Sequence, residues 1–197
     1  MKTRKFLLIF IYLYTILFLG GGLQLIGQKW LNYPVYFLLF VLGILAYREE
    51  LQKQLSLILP KKKDFLKTIS LYMVLVFLLT IASNLLSGFI KQTLGLPLQG
   101  QNDASIQVAL LENPYLFLLF GCFIGPVVEE LFFRRFFLGT FLANFSNWIG
   151  IVLTTFLFAI LHMHSWALSE WVTAISYLGG GLLYTLLYLK KDKNIWY

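Results

Sequence analysis

The sequence predicts an all-α protein, a polytopic transmembrane bundle of about six helices forming one domain over residues 1–197. Composition is the first reason. Of the 197 residues, 59% are hydrophobic and only 13% are charged, against roughly 25% charged in a soluble domain. The mean hydropathy is +0.76, more apolar surface than a soluble core of this size can bury. The second reason is arrangement. The apolar residues gather into runs close to the length of about 20 helical residues that crosses the hydrocarbon, with tilt or thinning accommodating the longer and shorter ones.

The first run, Phe6–Leu25, follows Lys2, Arg4 and Lys5 and so resembles a signal peptide. It is longer than a usual signal core, and no small-residue cleavage site follows it, so it reads as an uncleaved first crossing. Leu31–Tyr47 and Thr68–Ile90 are the second and third. The stretch 91–114, with Pro97, Gly100, Asn102 and Asp103, is the least apolar and reads as a plain extramembrane loop rather than a lid. The fourth run, Tyr115–Phe145, would reach about 46 Å as a straight helix, too long for one ordinary crossing. Gly121, Gly125 and Pro126 interrupt it, and a proline inside a helix is expected to kink it. The fifth crossing, Trp148–His162, is entered through Phe145-Ser146-Asn147, where Ser146 or Asn147 can cap it. Trp166–Leu189 is the sixth.

Charge sorts the connections. Twelve of the 16 basic residues lie at the amino terminus, between Arg48 and Lys67, or at Lys190, Lys191 and Lys193. These three places share one side of a six-helix chain, and the opposite side holds only Lys29 and Lys91. The excess of lysine and arginine predicts that both termini are cytoplasmic. The net charge of +7 therefore reads as contact with anionic lipid, not nucleic acid. Cys122, the single cysteine, stands within an apolar run and has no partner for an intramolecular disulfide.

Four ionisable residues interrupt the fourth run: Glu129, Glu130, Arg134 and Arg135. A charge at the bilayer centre costs about 2.5–3.5 kcal/mol even on lenient scales, so such residues pair, face the bundle interior or touch water, and they mark candidate functional sites. Glu130 and Arg134 are four apart and can pair along one helix face. Glu129 points about 100° away and is left free. Arg135 has no evident partner. Glu129 and His162 lie equally far on either side of the turn near Ser146, so in an antiparallel hairpin of equal rise they reach the same depth. Phe158 lies one turn below His162, whereas His164 falls on another face and reads as interfacial. Carboxylate and imidazole together suit activation of a water molecule, by general base catalysis or on a metal. Zinc usually takes three protein ligands, and Glu129 and His162 supply two, so a metal set is incomplete.

These residues carry a resemblance. Glu129-Glu130-x-x-x-Arg134 followed by Phe158-x-x-x-His162 resembles the first two motifs of the CAAX protease and bacteriocin-processing family (CPBP, or Abi) of intramembrane endopeptidases. The resemblance delimits a core of about 115–189 within the single domain. It implies that Glu129 and His162 activate a water that attacks a peptide carbonyl, with Glu130, Arg134 and Phe158 in support. It also implies a multi-pass protein of the cell membrane acting on a peptide or membrane-protein substrate. The bacterial branch is expected, in peptide maturation or bacteriocin self-immunity. The cofactor is open, a divalent metal such as zinc being one option. The family's third motif, His-x-x-x-Asn, is expected on a helix beyond the last crossing, and Lys190–Tyr197 resembles the loop leading into it. Its absence from these residues makes the alternative a non-catalytic membrane immunity or regulatory protein of the same fold. A small transporter is a third reading, because intramembrane carboxylates also serve proton relays; the sequence lacks the internal repeats common in transporters.

Overall fold

In the computed structural model, which describes residues 2–22 and 31–197, the regular elements are all helical. We number them α1 (Lys2–Tyr14, widening into a π-helical turn at Thr15–Leu19), α2 (Asn32–Ile58), α3 (Lys62–Thr93), α4 (Gln101–Glu112), α5 (Pro114–Phe141), α6 (Asn147–Leu161) and α7 (Leu168–Lys190). The end of the predicted first crossing, and Lys29 with it, lies outside the described residues. Three helical segments are long and apolar enough to cross a membrane: Asn32–Thr93, which joins α2 to α3 through a 3₁₀ turn at Leu59–Lys61, Pro114–Phe141, and Leu168–Lys190. Asn147–Leu161 is a shorter apolar helix.

The helices pack in the spatial order α1, α2, α5, α6, α7, α3. Aromatic residues fill the seam between α1, α2 and α5. Phe10, Tyr14, Leu39, Val128, Phe132 and Phe133 are buried there, and the Tyr14 ring stacks on Phe132 at 4.0 Å between centroids. Close approach of α6 and α7 depends on Gly181. A Cβ added at that position would come within 3.1 Å of Phe158 Cδ1 and 3.4 Å of the Thr155 carbonyl oxygen. Gly181→Val is therefore expected to push the two helices apart and destabilise the fold by about 1–3 kcal/mol, read as a lowered thermal midpoint in detergent.

Two connections group at each end of the bundle. At one end the carboxyl tail straps the connection between α2 and α3. Ile195 N donates to Gln54 Oε1 at 2.9 Å, Trp196 Nε1 donates to the Leu51 carbonyl at 2.9 Å, and Lys191 Nζ meets Asp64 Oδ2 at 3.1 Å. The basic stretches 48–67 and 190–193 thus share one end, as their charge led us to expect. At the other end 91–112 meets 162–170. Lys91, read from the sequence as a loop charge, is instead 2% exposed. Its ammonium donates to the Leu98 carbonyl at 3.0 Å and to Thr173 Oγ1 at 2.6 Å.

The long fourth run widens around its irregular residues. α5 passes through a π-helical stretch at Phe120–Ile124, an α-helical one at Gly125–Glu130 and a second π-helical stretch at Leu131–Phe141. Pro126 occupies the first turn of Gly125–Glu130, where a missing N–H is tolerated. At the far end Leu142 N donates to the Phe137 carbonyl, five residues back, at 2.8 Å. Single π turns inside α-helices are frequent at functional sites. The turn into α6 is capped as expected, Ser146 Oγ accepting from Ile149 N at 3.4 Å.

Candidate active site

The expected pair between Glu130 and Arg134 is present. Arg134 Nη1 lies 3.1 Å from Glu130 Oε1, and the arginine side chain is completely buried. Its Nη2 donates to the Gly181 carbonyl on α7 at 3.3 Å. The guanidinium carbon sits 4.8 Å from the Phe158 ring centroid and 5.5 Å from that of Tyr184. One cation thus ties α5 to both α6 and α7. A buried guanidinium persists only when its charge is met; here an anion, a carbonyl and aromatic faces meet it jointly, while Nε has no hydrogen-bond partner among the described residues. Arg134 and Phe158 stand equally far on either side of Ser146, so their approach follows the symmetric hairpin register.

Arg135 does have a partner. Its Nε meets Glu50 Oε1 on α2 at 2.6 Å, and its guanidinium lies 5.4 Å from the Tyr47 ring centroid. Glu129, by contrast, is half-buried and makes no hydrogen bond or ion pair among the described residues. Of the four charges in this segment it alone has no bonded partner there.

His162 caps the end of α6, and aromatic rings hold it on two sides. Phe158 lies 4.7 Å away, tilted by 47°, and Tyr177 on α7 lies 4.3 Å away, nearly parallel at 20°. Its Nδ1 is 2.9 Å from the Phe158 carbonyl. A carbonyl can only accept, so Nδ1 carries a proton, and in the neutral imidazole Nε2 keeps its lone pair. No hydrogen bond links His162 to Glu129 among the described residues. A chain of contacts runs from His162 through Phe158 and Arg134 to Glu130, the neighbour of Glu129 in the sequence. His164 is exposed, with Nε2 3.2 Å from Asn102 Oδ1.

Residues 111–197 match the family model of Rce1-like type II CAAX prenyl endopeptidases. Over that stretch the chain is similar to the CAAX protease family. The Rce1-like region begins near the end of α4 and contains Glu129, Glu130, Arg134, Phe158 and His162. No curated protein and no solved structure matches the chain.

The donor set does not fit a metal. Among the described residues no group of three histidine, cysteine, aspartate or glutamate side chains could hold an ion, and the Nδ1 of His162 is already engaged.

Several residues near the motifs escaped sequence reading. The Tyr14 side chain is fully buried, and its hydroxyl has no hydrogen-bond partner among the described residues. The ring rests on Phe132 and meets Phe133 edge-on at 6.1 Å, the residues three and four after Glu129. An unmet buried hydroxyl is a cost, so Tyr14→Phe is expected to leave the thermal midpoint unchanged or to raise it by a few degrees. A lowered midpoint would show that the hydroxyl is bonded after all. Tyr177 escaped too, because a tyrosine within an apolar run carries no signal of what its ring faces.

Proposed function

We propose that this Rce1-like protein is an intramembrane peptidase with Glu129 as the general base and His162 as its partner on the attacking water. The observation that carries the reading is the division of labour between adjacent carboxylates. Glu130 is consumed by Arg134, whereas Glu129, one residue earlier in the same apolar segment, has no ion-pair partner among the described residues. An unpaired carboxylate in such a segment is costly unless it has a use.

In this reading a water molecule donates one hydrogen bond to the Glu129 carboxylate and another to the lone pair on His162 Nε2. Glu129 takes a proton as the water oxygen adds to the scissile carbonyl carbon. The resulting tetrahedral species collapses when that proton passes to the leaving nitrogen and the C–N bond breaks. Positioned proton transfer of this kind is worth about 10²–10⁴ in rate. Glu130, Arg134 and Phe158 hold the frame.

The substrate class is a peptide or membrane-protein segment, in bacterial peptide maturation or bacteriocin self-immunity. The protein is a multi-pass component of the cell membrane with both termini cytoplasmic and one functional domain over 1–197, its core at 115–189. The experiment is incubation of purified protein in lipid nanodiscs with a defined membrane-peptide library, products being read by mass spectrometry. Discrete internal cuts that disappear in His162→Gln support the reading; cuts that survive that change overturn it. Labelling of single cysteines at positions 103 and 192, in a Cys122→Ser background, tests the orientation. Reagent outside the cell should reach position 103 and not 192, and the reverse would invert the topology.

A second reading, a non-catalytic immunity or regulatory protein of the same fold, is favoured by one observation: no bond joins Glu129 to His162 among the described residues. It requires that Glu129→Gln leave the protective or binding phenotype intact.

A further inference from the structure

The polar end of the bundle is built around the phenol of Tyr177. Its ring lies against the imidazole of His162 at 4.3 Å and 20°. Its hydroxyl accepts from Asn102 Nδ2 at 2.8 Å and donates to Asp103 Oδ1 at 2.8 Å. Both partners stand in the first turn of α4, the segment expected to be a plain loop.

That turn is itself fixed. Glu170, only 2% exposed, accepts from Gln101 N at 3.1 Å through Oε1 and from His164 N at 3.3 Å through Oε2. One buried carboxylate therefore holds the start of α4 and the segment that follows His162. Lys91 ties the preceding connection to Thr173. Gly100 seats so closely that a Cβ there would lie 2.5 Å from Thr173 Cγ2.

Stacking alone leaves a ring pair free to slip, and the aromatic torsion of tyrosine and histidine is broad. Two hydrogen bonds at the far end of the phenol remove that freedom. The Phe158 carbonyl fixes where His162 Nδ1 points, and the plane of the tyrosine fixes the plane of the imidazole. Together they set the direction of Nε2. We propose that Tyr177 is a positioning residue for His162, with Asn102 and Asp103 on α4 as its anchor. The inference rests on His162 being the water's partner, and it gives α4 a definite role, since this helix holds the imidazole from outside the matched core motifs.

The test uses the full chain in nanodiscs with isotopically labelled histidine. The sequence has two histidines, so His164→Gln assigns the signals. In the wild type, the His162 ring-proton resonance should be shifted upfield by the stacked phenol. Tyr177→Phe should keep most of that shift, and Tyr177→Leu should lose a large part of it. For cleavage, Tyr177→Phe and the double change Asn102→Ala/Asp103→Ala should each lower kcat about tenfold, and Tyr177→Leu about a hundredfold, with KM held within about twofold. The double change lies on α4, away from the core, and keeps the test decisive if Tyr177→Leu fails to fold. An unchanged His162 resonance in Tyr177→Leu overturns the proposal. So does loss of the shift with kcat unaltered. A wild type that cuts no peptide removes the protease reading instead, and the resonance still decides whether Tyr177 holds the ring.

Discussion

Arg134→Ala is expected to destabilise the protein by about 3–5 kcal/mol, the usual consequence of removing one partner from a buried ion pair. The side chain is fully buried and engages Glu130, the Gly181 carbonyl and the Phe158 face at once. Its loss leaves an uncompensated carboxylate and a void between three helices, while the Gly181 carbonyl keeps its bond from Thr185 Oγ1. Because native stability is only about 5–15 kcal/mol, a change of this size should collapse the yield of monodisperse protein and lower the thermal midpoint sharply. Glu130→Gln/Arg134→Met should recover much of the loss, since removing both charges together leaves neither unpaired. If Arg134→Ala melts with the wild type, the arginine is not what ties α5 to α6 and α7.

Glu129→Gln is expected to do the opposite. The substitution keeps size and hydrogen-bonding capacity and breaks no bond among the described residues, so the midpoint should stay close to that of the wild type. Peptide cleavage should fall by about 10²–10⁴-fold, the worth of a positioned general base. Glu130→Gln provides the contrast. It weakens the Arg134 pair, lowers the midpoint and reduces activity chiefly through loss of folded protein. Two neighbouring glutamates of identical chemistry should thus separate cleanly, one in rate and the other in stability.

How much of this could be read from the sequence depended on whether the relevant partner was local. The Glu130–Arg134 pair and the Ser146 cap involve residues three or four apart, and helical geometry specifies both. The positions of the apolar helices followed from apolar run length, which is also a local property. Arg135 found Glu50, and Tyr177 found Asn102 and Asp103, across tertiary distances that no spacing rule covers. α4 was hidden because its exposed polar residues look like a loop; its docking depends on Glu170 and Lys91, buried charges whose partners lie elsewhere in the chain. Pro126 signalled irregular backbone but not its form, which includes π-helical turns on either side. The match of residues 111–197 to the Rce1-like family agrees with the two-motif reading and says nothing of α1–α3.

The central claim is that Glu129 is the reacting carboxylate and Glu130 the structural one. The most direct test is the initial cleavage rate of Glu129→Gln and of Glu130→Gln in nanodiscs, each normalised to folded protein by its melting curve. With the roles so divided, Glu129→Gln melts like the wild type and cuts at least about a hundredfold more slowly, while Glu130→Gln melts early and retains most of its rate per folded molecule. Wild-type cleavage by Glu129→Gln would contradict that division outright.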